Sequence, residues 1–129
     1  MTFLQKLAAA AWTIALTAAP TLAAGPTPVG TWQTVTGESR YSVFLCGDGT
    51  QLCAKLTWLR DDARTDKNLP YLNTYVLKGA EETQANKWQG TVTYDGKAIN
   101  GSVTLTGADR MKLQGCVGIF CKSLQFERV

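Results

Sequence analysis

The chain has 129 residues, with 13 basic and 10 acidic side chains and no histidine. The basic residues are scattered, whereas nucleic-acid-binding proteins usually concentrate them in one patch, so we expect no nucleic-acid partner. Without histidine, the commonest general base and metal ligand is missing, which excludes Ser–His and Cys–His nucleophile systems.

Residues 1–24 have the pattern of a secretory signal peptide. Lys6 is the only charged residue, an apolar run follows it, and small residues end the segment at Ala23 and Ala24. The apolar run is shorter than the roughly 20 residues that a membrane-spanning helix needs. We therefore predict a cleaved signal peptide over 1–24, one domain over 25–129, a periplasmic or secreted location, and no stable membrane insertion after cleavage.

From residue 30 onward, apolar and polar residues alternate in short segments separated by glycine turns, with no helical period. The predicted strands are 30–36, 40–46, 52–59, 74–79, 86–94, 97–106, 110–117 and 120–127. Eight consecutive strands with mostly short connections predict an all-β fold, a small antiparallel up-and-down β-barrel.

Four cysteines in a small exported domain favour disulfides. Their spacings match neither a zinc motif nor a thioredoxin motif. We predict two local hairpin disulfides, Cys46–Cys53 and Cys116–Cys121. The long-range pairing Cys46–Cys121 is the alternative that loop-closure entropy would favour.

The turn of the first cysteine hairpin has two possible positions. A type II′ turn at Gly49-Thr50 sets Cys46 directly opposite Cys53 and places Trp58 on the inner face. A turn at Asp48-Gly49 keeps the same faces and staggers the cysteines.

The later hairpins carry clearer turn residues. A turn at Gly118-Ile119 sets the second cysteine pair face to face, and Asp95-Gly96 is typical of a type I′ turn. The Asp95-Gly96 turn places Gly90 opposite Gly101. A pair of glycines lets the sheet bend or leaves space inside the barrel.

An ordered set of short motifs resembles the bacterial secreted proteins grouped as domain of unknown function 2147. The motifs are Gly30-Thr31-Trp32, Cys46-Gly47, Leu52-Cys53, Asp66-Lys67-Asn68, Gly79, Trp88-Gln89-Gly90, Tyr94-Asp95-Gly96-Lys97, Leu113-Gln114-Gly115-Cys116 and Glu127-Arg128-Val129. The resemblance implies a calycin (lipocalin-like) antiparallel barrel, exported across the inner membrane of a Gram-negative bacterium, and no established activity.

The resemblance also bears on two particular sites. In lipocalin-like barrels, a tryptophan of the first strand lies beneath an arginine from the end of the chain, so Trp32 and Arg128 are expected to close one barrel end. The family's arginines after the Asp/Asn loop are replaced here by Asn73, Thr74 and Tyr75, so no anion-binding role carries over to them.

The predicted loop 59–73 is the longest connection, and long loops in small domains are often functional. Its simplest role is to cover one mouth of the barrel. Asp62, Asp66 and Asn68 could form a calcium site, although their spacing lacks the EF-hand glycine and terminal glutamate. Paired carboxylates, including Asp61, are a catalytic alternative. We expect no metal, no cofactor and no enzymatic activity.

The barrel interior could be filled by its many large side chains, or it could hold one small ligand. A pocket floored by Trp58 and Trp88 would suit a lipid fragment or an aromatic metabolite. The candidate ligand-binding residues are Trp58, Trp88, Tyr41, Tyr94, Asp66 and Asn68. We therefore expect a monomer that binds a small apolar molecule, or alternatively an envelope protein-interaction module with a filled core that uses the 59–73 loop.

Overall fold

Eight antiparallel strands close into one barrel in chain order, so each strand pairs with its sequence neighbours and β8 returns to β1. The strands are β1 (Gly30–Thr34), β2 (Ser39–Cys46), β3 (Gln51–Leu59), β4 (Tyr75–Gln84), β5 (Lys87–Tyr94), β6 (Lys97–Gly107), β7 (Arg110–Val117) and β8 (Phe120–Arg128). The predicted up-and-down barrel is confirmed.

The structure, a computed structural model, describes residues 26–129. The predicted signal peptide over 1–24 lies outside the described residues. Between residues 26 and 129, no helix is both long and apolar enough to cross a bilayer.

The up-and-down order gives the barrel two distinct ends. The connections β1–β2, β3–β4, β5–β6 and β7–β8 lie together at one end, which we call the mouth end. The connections β2–β3, β4–β5 and β6–β7 lie at the other, the base end, with the start of β1 and the last residues of β8.

Trp32 closes the base end. Its side chain is fully buried, and its indole N–H donates to the carbonyl oxygen of Pro28 at 2.8 Å. The guanidinium carbon of Arg128 lies 4.3 Å from the centroid of the Trp32 ring, and its N–H groups donate to the carbonyl oxygens of Val29 and Ala108, each at 2.9 Å. The stacked pair expected from the sequence is therefore present.

A β-bulge in β3 reverses the expected orientation of Trp58. Between the pairs Tyr41–Leu56 and Arg40–Trp58, β3 contains one additional residue, Thr57, whose hydroxyl donates to the carbonyl oxygen of Arg40 at 3.2 Å. An extra residue shifts the alternation of faces. Trp58 therefore points outward beneath the Arg40 guanidinium, 37% exposed, and the prediction that it lies inside is wrong.

The first cysteine hairpin follows the staggered register. Cys46 pairs with Gln51, and Cys53 lies opposite Phe44. The predicted face-to-face placement of Cys46 and Cys53 is wrong, but the predicted bond is present as a diagonal link with a Cα–Cα distance of 5.9 Å, within the usual range.

Asp48 accounts for this register. Its carboxylate accepts the backbone N–H of Thr50 at 3.0 Å, and the N–H of Gly49 donates to the carbonyl oxygen of Cys46 at 3.0 Å. These bonds close a four-residue loop centred on Asp48-Gly49. An aspartate that bonds its own backbone two residues onward is a common way to fix a turn.

The other hairpins match their predicted registers. Cys116 faces Cys121 and is bonded to it, with a Cα–Cα distance of 4.0 Å. Asp95 and Gly96 have φ of 50° and 74°, the left-handed values that a type I′ turn requires. The two local disulfides and these two turns are confirmed.

The glycine pair between β5 and β6 allows neighbouring groups to pack closely against the two strands. Gly90 lies opposite Gly101, and a Cβ atom on Gly90 would come within 2.7 Å of the Cα atom of Ala80. A Cβ atom on Gly101 would collide with the side chain of Val92. Neighbouring strands therefore occupy the space beside both glycines, and the pair itself leaves no room for a ligand.

Candidate ligand-binding cavity

The barrel interior contains a cavity of about 440 Å³ between the packed base and the mouth end. This volume lies within the usual size range of small-molecule sites. The wall is mainly aliphatic and aromatic, and it includes Val43, Ala54, Leu77, Val103, Met111 and Phe126. The interior is therefore partly hollow, not filled throughout.

The β3–β4 connection, residues 60–74, covers part of the mouth end; we call it the mouth loop. It contains two short 3-10 helices, Asp61–Ala63 and Leu69–Tyr71. Ala63, Asn68 and Tyr71 line the cavity, and the side-chain amide of Asn68 donates to the carbonyl oxygen of Ala63 at 2.9 Å. The loop therefore forms part of the cavity wall.

Polar contacts hold the mouth loop to turns on both sides. On one side, the Lys67 ammonium lies 3.3 Å from the Asp95 carboxylate. On the other, the Arg60 guanidinium binds both carboxylate oxygens of Asp62 at 2.7 and 3.0 Å and donates to the carbonyl oxygen of Thr36 at 3.0 Å. These ion pairs are exposed, so each contributes little stability. The buried packing of Ala63 against Leu56 and Leu59 also holds the loop in place.

Tyr41 brings a polar group into the apolar wall. Its hydroxyl accepts a hydrogen bond from the Ser39 hydroxyl at 3.1 Å, and its ring meets that of Phe126 edge-on, with centroids 5.3 Å apart. Burial raises the pKa of Tyr41, the nearby Glu38 carboxylate acts in the same direction, and the Ser39 hydrogen bond opposes them. The phenol is therefore neutral and keeps a proton that it can donate to a ligand.

This raised pKa predicts a specific pH dependence of stability. Because Tyr41 binds its proton more tightly in the folded state, its contribution is complete below the ordinary value of 10.0 and is lost as the pH rises above it. We expect Tyr41→Phe to remove part of the alkaline loss of stability. Urea midpoints measured from pH 7 upward test this, and parallel profiles for the two proteins would show that the phenol is not buried.

A second cavity of about 370 Å³ lies beside the first, between the ends of β5 to β8 at the mouth end. We call it the outer pocket. The two cavities have four wall residues in common, namely Val92, Tyr94, Leu113 and Leu124. The outer pocket is bordered by Phe120, which is 78% exposed, so apolar surface continues from the interior to the outside.

Lys122 is the charged residue in the wall of the outer pocket. Its ammonium donates to the Tyr94 hydroxyl at 2.8 Å and lies 5.3 Å from the centroid of that ring. The hydrogen bond with Tyr94 raises the pKa of Lys122. Lys122 was not among the residues predicted from the sequence, although its pairing with Gly115 in the second cysteine hairpin assigns it to the inner face.

Three of the six predicted ligand-binding residues line the interior cavity: Tyr41, Tyr94 and Asn68. Trp88 is buried in the core cluster with Trp32 and does not form part of the cavity wall. With Trp58 outside, neither predicted tryptophan floors the cavity.

The acidic residues of the mouth loop do not form a cluster. Asp66 is exposed and does not line the cavity, and Asp62 is bound by Arg60, which holds the pKa of Asp62 below its ordinary value. Among residues 26–129, no three histidine, cysteine, aspartate or glutamate side chains converge in a way that could hold a metal ion.

A family model described as "Uncharacterized protein conserved in bacteria (DUF2147)" matches residues 30–128. No curated protein and no solved structure matches the chain. The matched segment runs from β1 to the end of β8 and includes every residue of the cavity wall.

Proposed function

This chain belongs to the DUF2147 family, and we propose that it is an exported, non-catalytic protein that binds one small apolar or aromatic molecule inside its barrel. The observation that carries the proposal is the interior cavity of about 440 Å³. The family is described as uncharacterized, so the match indicates no activity. The proposal is therefore argued from the chemistry of the cavity wall.

The wall favours an apolar guest with a polar group at one end. Aliphatic side chains such as Val43 and Leu77 make up most of it, and burial of a ligand methylene against such a surface contributes about 0.8 kcal/mol. The polar groups lie on the mouth side, where the charged side chains of Glu38, Lys67 and Asp95 join Ser39, Tyr41 and Asn68 in the wall. A largely apolar pocket with a few polar groups is typical of small-molecule sites.

Catalysis finds little support in the side chains around the cavity. The chain has no histidine, the Tyr41 phenol in the cavity wall is kept neutral by burial, and Asp62, in the mouth loop outside that wall, is held by Arg60. A general base needs a pKa near the working pH, and none of these groups meets that condition.

Export is supported by the two disulfides and by the predicted signal peptide. Disulfides form and persist in oxidising compartments such as the bacterial periplasm, and both cysteine pairs of this chain are bonded. A periplasmic or secreted location is therefore part of the proposal.

Filling the cavity should abolish binding. Ala54 is buried in the wall, so Ala54→Phe places a ring in the empty space, and we expect affinity for the apolar fluorescent probe N-phenylnaphthylamine to fall at least about tenfold, which is about 1.4 kcal/mol. The matched control is Ala98→Phe, because Ala98 is exposed. Fluorescence titration measures both dissociation constants.

The melting temperature of Ala54→Phe should equal or exceed that of the wild type, because the ring fills a void. Equal probe affinity in all three proteins would contradict binding inside the barrel.

An envelope protein-interaction module is the second candidate. It is favoured by the tip of the β7–β8 hairpin, where Val117, Ile119 and Phe120 are 61, 91 and 78% exposed. An exposed apolar cluster can mark a contact site. The test places a photocrosslinker at Ile119 and, as a control, at the exposed Ala98, in intact cells. If Ile119 captures no more protein than Ala98 does, this candidate is contradicted.

A further inference from the structure

We propose that the molecule held in the barrel is an anionic amphiphile, with its chain in the interior cavity and its head group on the ammonium of Lys122. This rests on the proposed function and adds the chemical class of the ligand. A medium-chain carboxylate is the simplest member of that class.

The register of β8 places Lys122 at the mouth on the inner face of the barrel. Lys122 pairs with Gly115, and Leu124 and Phe126 follow it on the same face toward the base. Its ammonium reaches the Tyr94 hydroxyl on β5 at 2.8 Å, across the ends of β6 and β7. The positive charge is therefore held over the entrance of the outer pocket.

The charge of Lys122 is available to a ligand. Among residues 26–129, Lys122 forms no ion pair with a carboxylate, and its hydrogen-bond partner is a phenol. Asp95 is paired with Lys67, while Glu38, on the β1–β2 turn, accepts from the Thr36 hydroxyl at 3.1 Å. An anionic head group would therefore gain a charge-assisted hydrogen bond at Lys122.

An apolar path leads from Lys122 into the interior. The outer pocket and the interior cavity have Leu113 and Leu124 as common wall residues, and Met111 and Phe126 continue the wall below them. From Lys122 to Phe126 the strand rises about 13 Å. A flexible single chain can follow this apolar wall from the outer pocket into the interior cavity.

Decanoate and decanol test this assignment, because they have the same chain length and differ in the charge of the head group. We expect Lys122→Met to weaken decanoate binding about tenfold, as loss of a charge-assisted hydrogen bond would, and to leave decanol binding unchanged. Lys112→Met is the matched control, since Lys112 lies on the outer face of β7 opposite Gln125, and it should change neither dissociation constant. Calorimetric titration gives all six values.

The outcomes separate the two proposals. If Lys122→Met leaves decanoate binding unchanged, or weakens both ligands equally, the head-group assignment is overturned and the binding function stands. If wild-type protein binds neither ligand, the amphiphile assignment is overturned, and the proposed function is overturned with it only if N-phenylnaphthylamine also fails to bind. Melting temperatures establish that each variant remains folded. We expect no decrease for Lys122→Met, because Lys122 is exposed.

Discussion

Trp32→Ala will lower the free energy of unfolding by about 3–5 kcal/mol, the usual loss when a buried tryptophan is truncated in a core. Trp32 is fully buried at the base end, and the substitution also removes the hydrogen bond to Pro28 and the ring beneath Arg128. For a domain of this size, the melting temperature should fall by more than about 10 °C.

Trp58→Ala is the matched control, because it removes the same side chain from the outer surface. Trp58 is 37% exposed and contacts the Arg40 guanidinium, so the expected loss is about 1 kcal/mol. Urea unfolding of both variants measures the difference. Similar losses for the two tryptophans would contradict the inward placement of Trp32 and the bulge at Thr57.

Removal of both disulfides should produce the second large loss. The bonds close loops of eight and six residues, from Cys46 to Cys53 and from Cys116 to Cys121. On the chain-entropy model each contributes about 2–2.5 kcal/mol, so a variant without either should lose about 4–5 kcal/mol.

The two bonds should differ when they are removed singly. Cys53 is 5% exposed, so Cys46→Ala with Cys53→Ala also leaves a packing defect and should cost more than the entropy term. Cys121 is exposed, so replacing the second pair by serine should cost the entropy term alone. Urea unfolding of the three variants tests this order, and equal midpoints for wild type and the variant lacking both bonds would contradict it.

Turn chemistry made most of the barrel predictable. Asp95-Gly96 fixes the β5–β6 hairpin because both residues must adopt positive φ, and Gly118 does the same for the second cysteine hairpin, with φ of 61°. Once those turns are placed, alternation alone assigns the inner faces of four strands. The Cys116–Cys121 disulfide follows from the second of these registers.

The errors arose where one residue changes the register without a sequence signal. The bulge at Thr57 depends on how β3 bends around the barrel, and threonine at that position resembles any other strand residue. The Asp48 turn competes with a neighbouring glycine turn that is equally plausible on composition, and the side-chain bond of Asp48 to Thr50 decides between them.

The hollow interior was not predictable from alternation, because facing inward is not the same as being packed. Leu45, Tyr94 and Leu124 have inner-face positions but are 55, 42 and 45% exposed. Leu45 and Tyr94 lie at the ends of their strands, where a barrel opens to solvent. Leu124 lies in the middle of β8, where it lines both cavities and does not pack into the core. Lys122 was missed because alternation does not show where the barrel opens. A lysine can face inward only where its ammonium still reaches solvent.

The location of a bound chain inside the barrel is the central claim, and NMR contacts between decanol and the protein test it most directly. We predict nuclear Overhauser effects from the decanol methylene protons to the methyl groups of Val43 and Met111, which line the interior cavity. Contacts confined to Ile119 and Phe120 on the outer tip, or no contacts at saturating decanol, would contradict it.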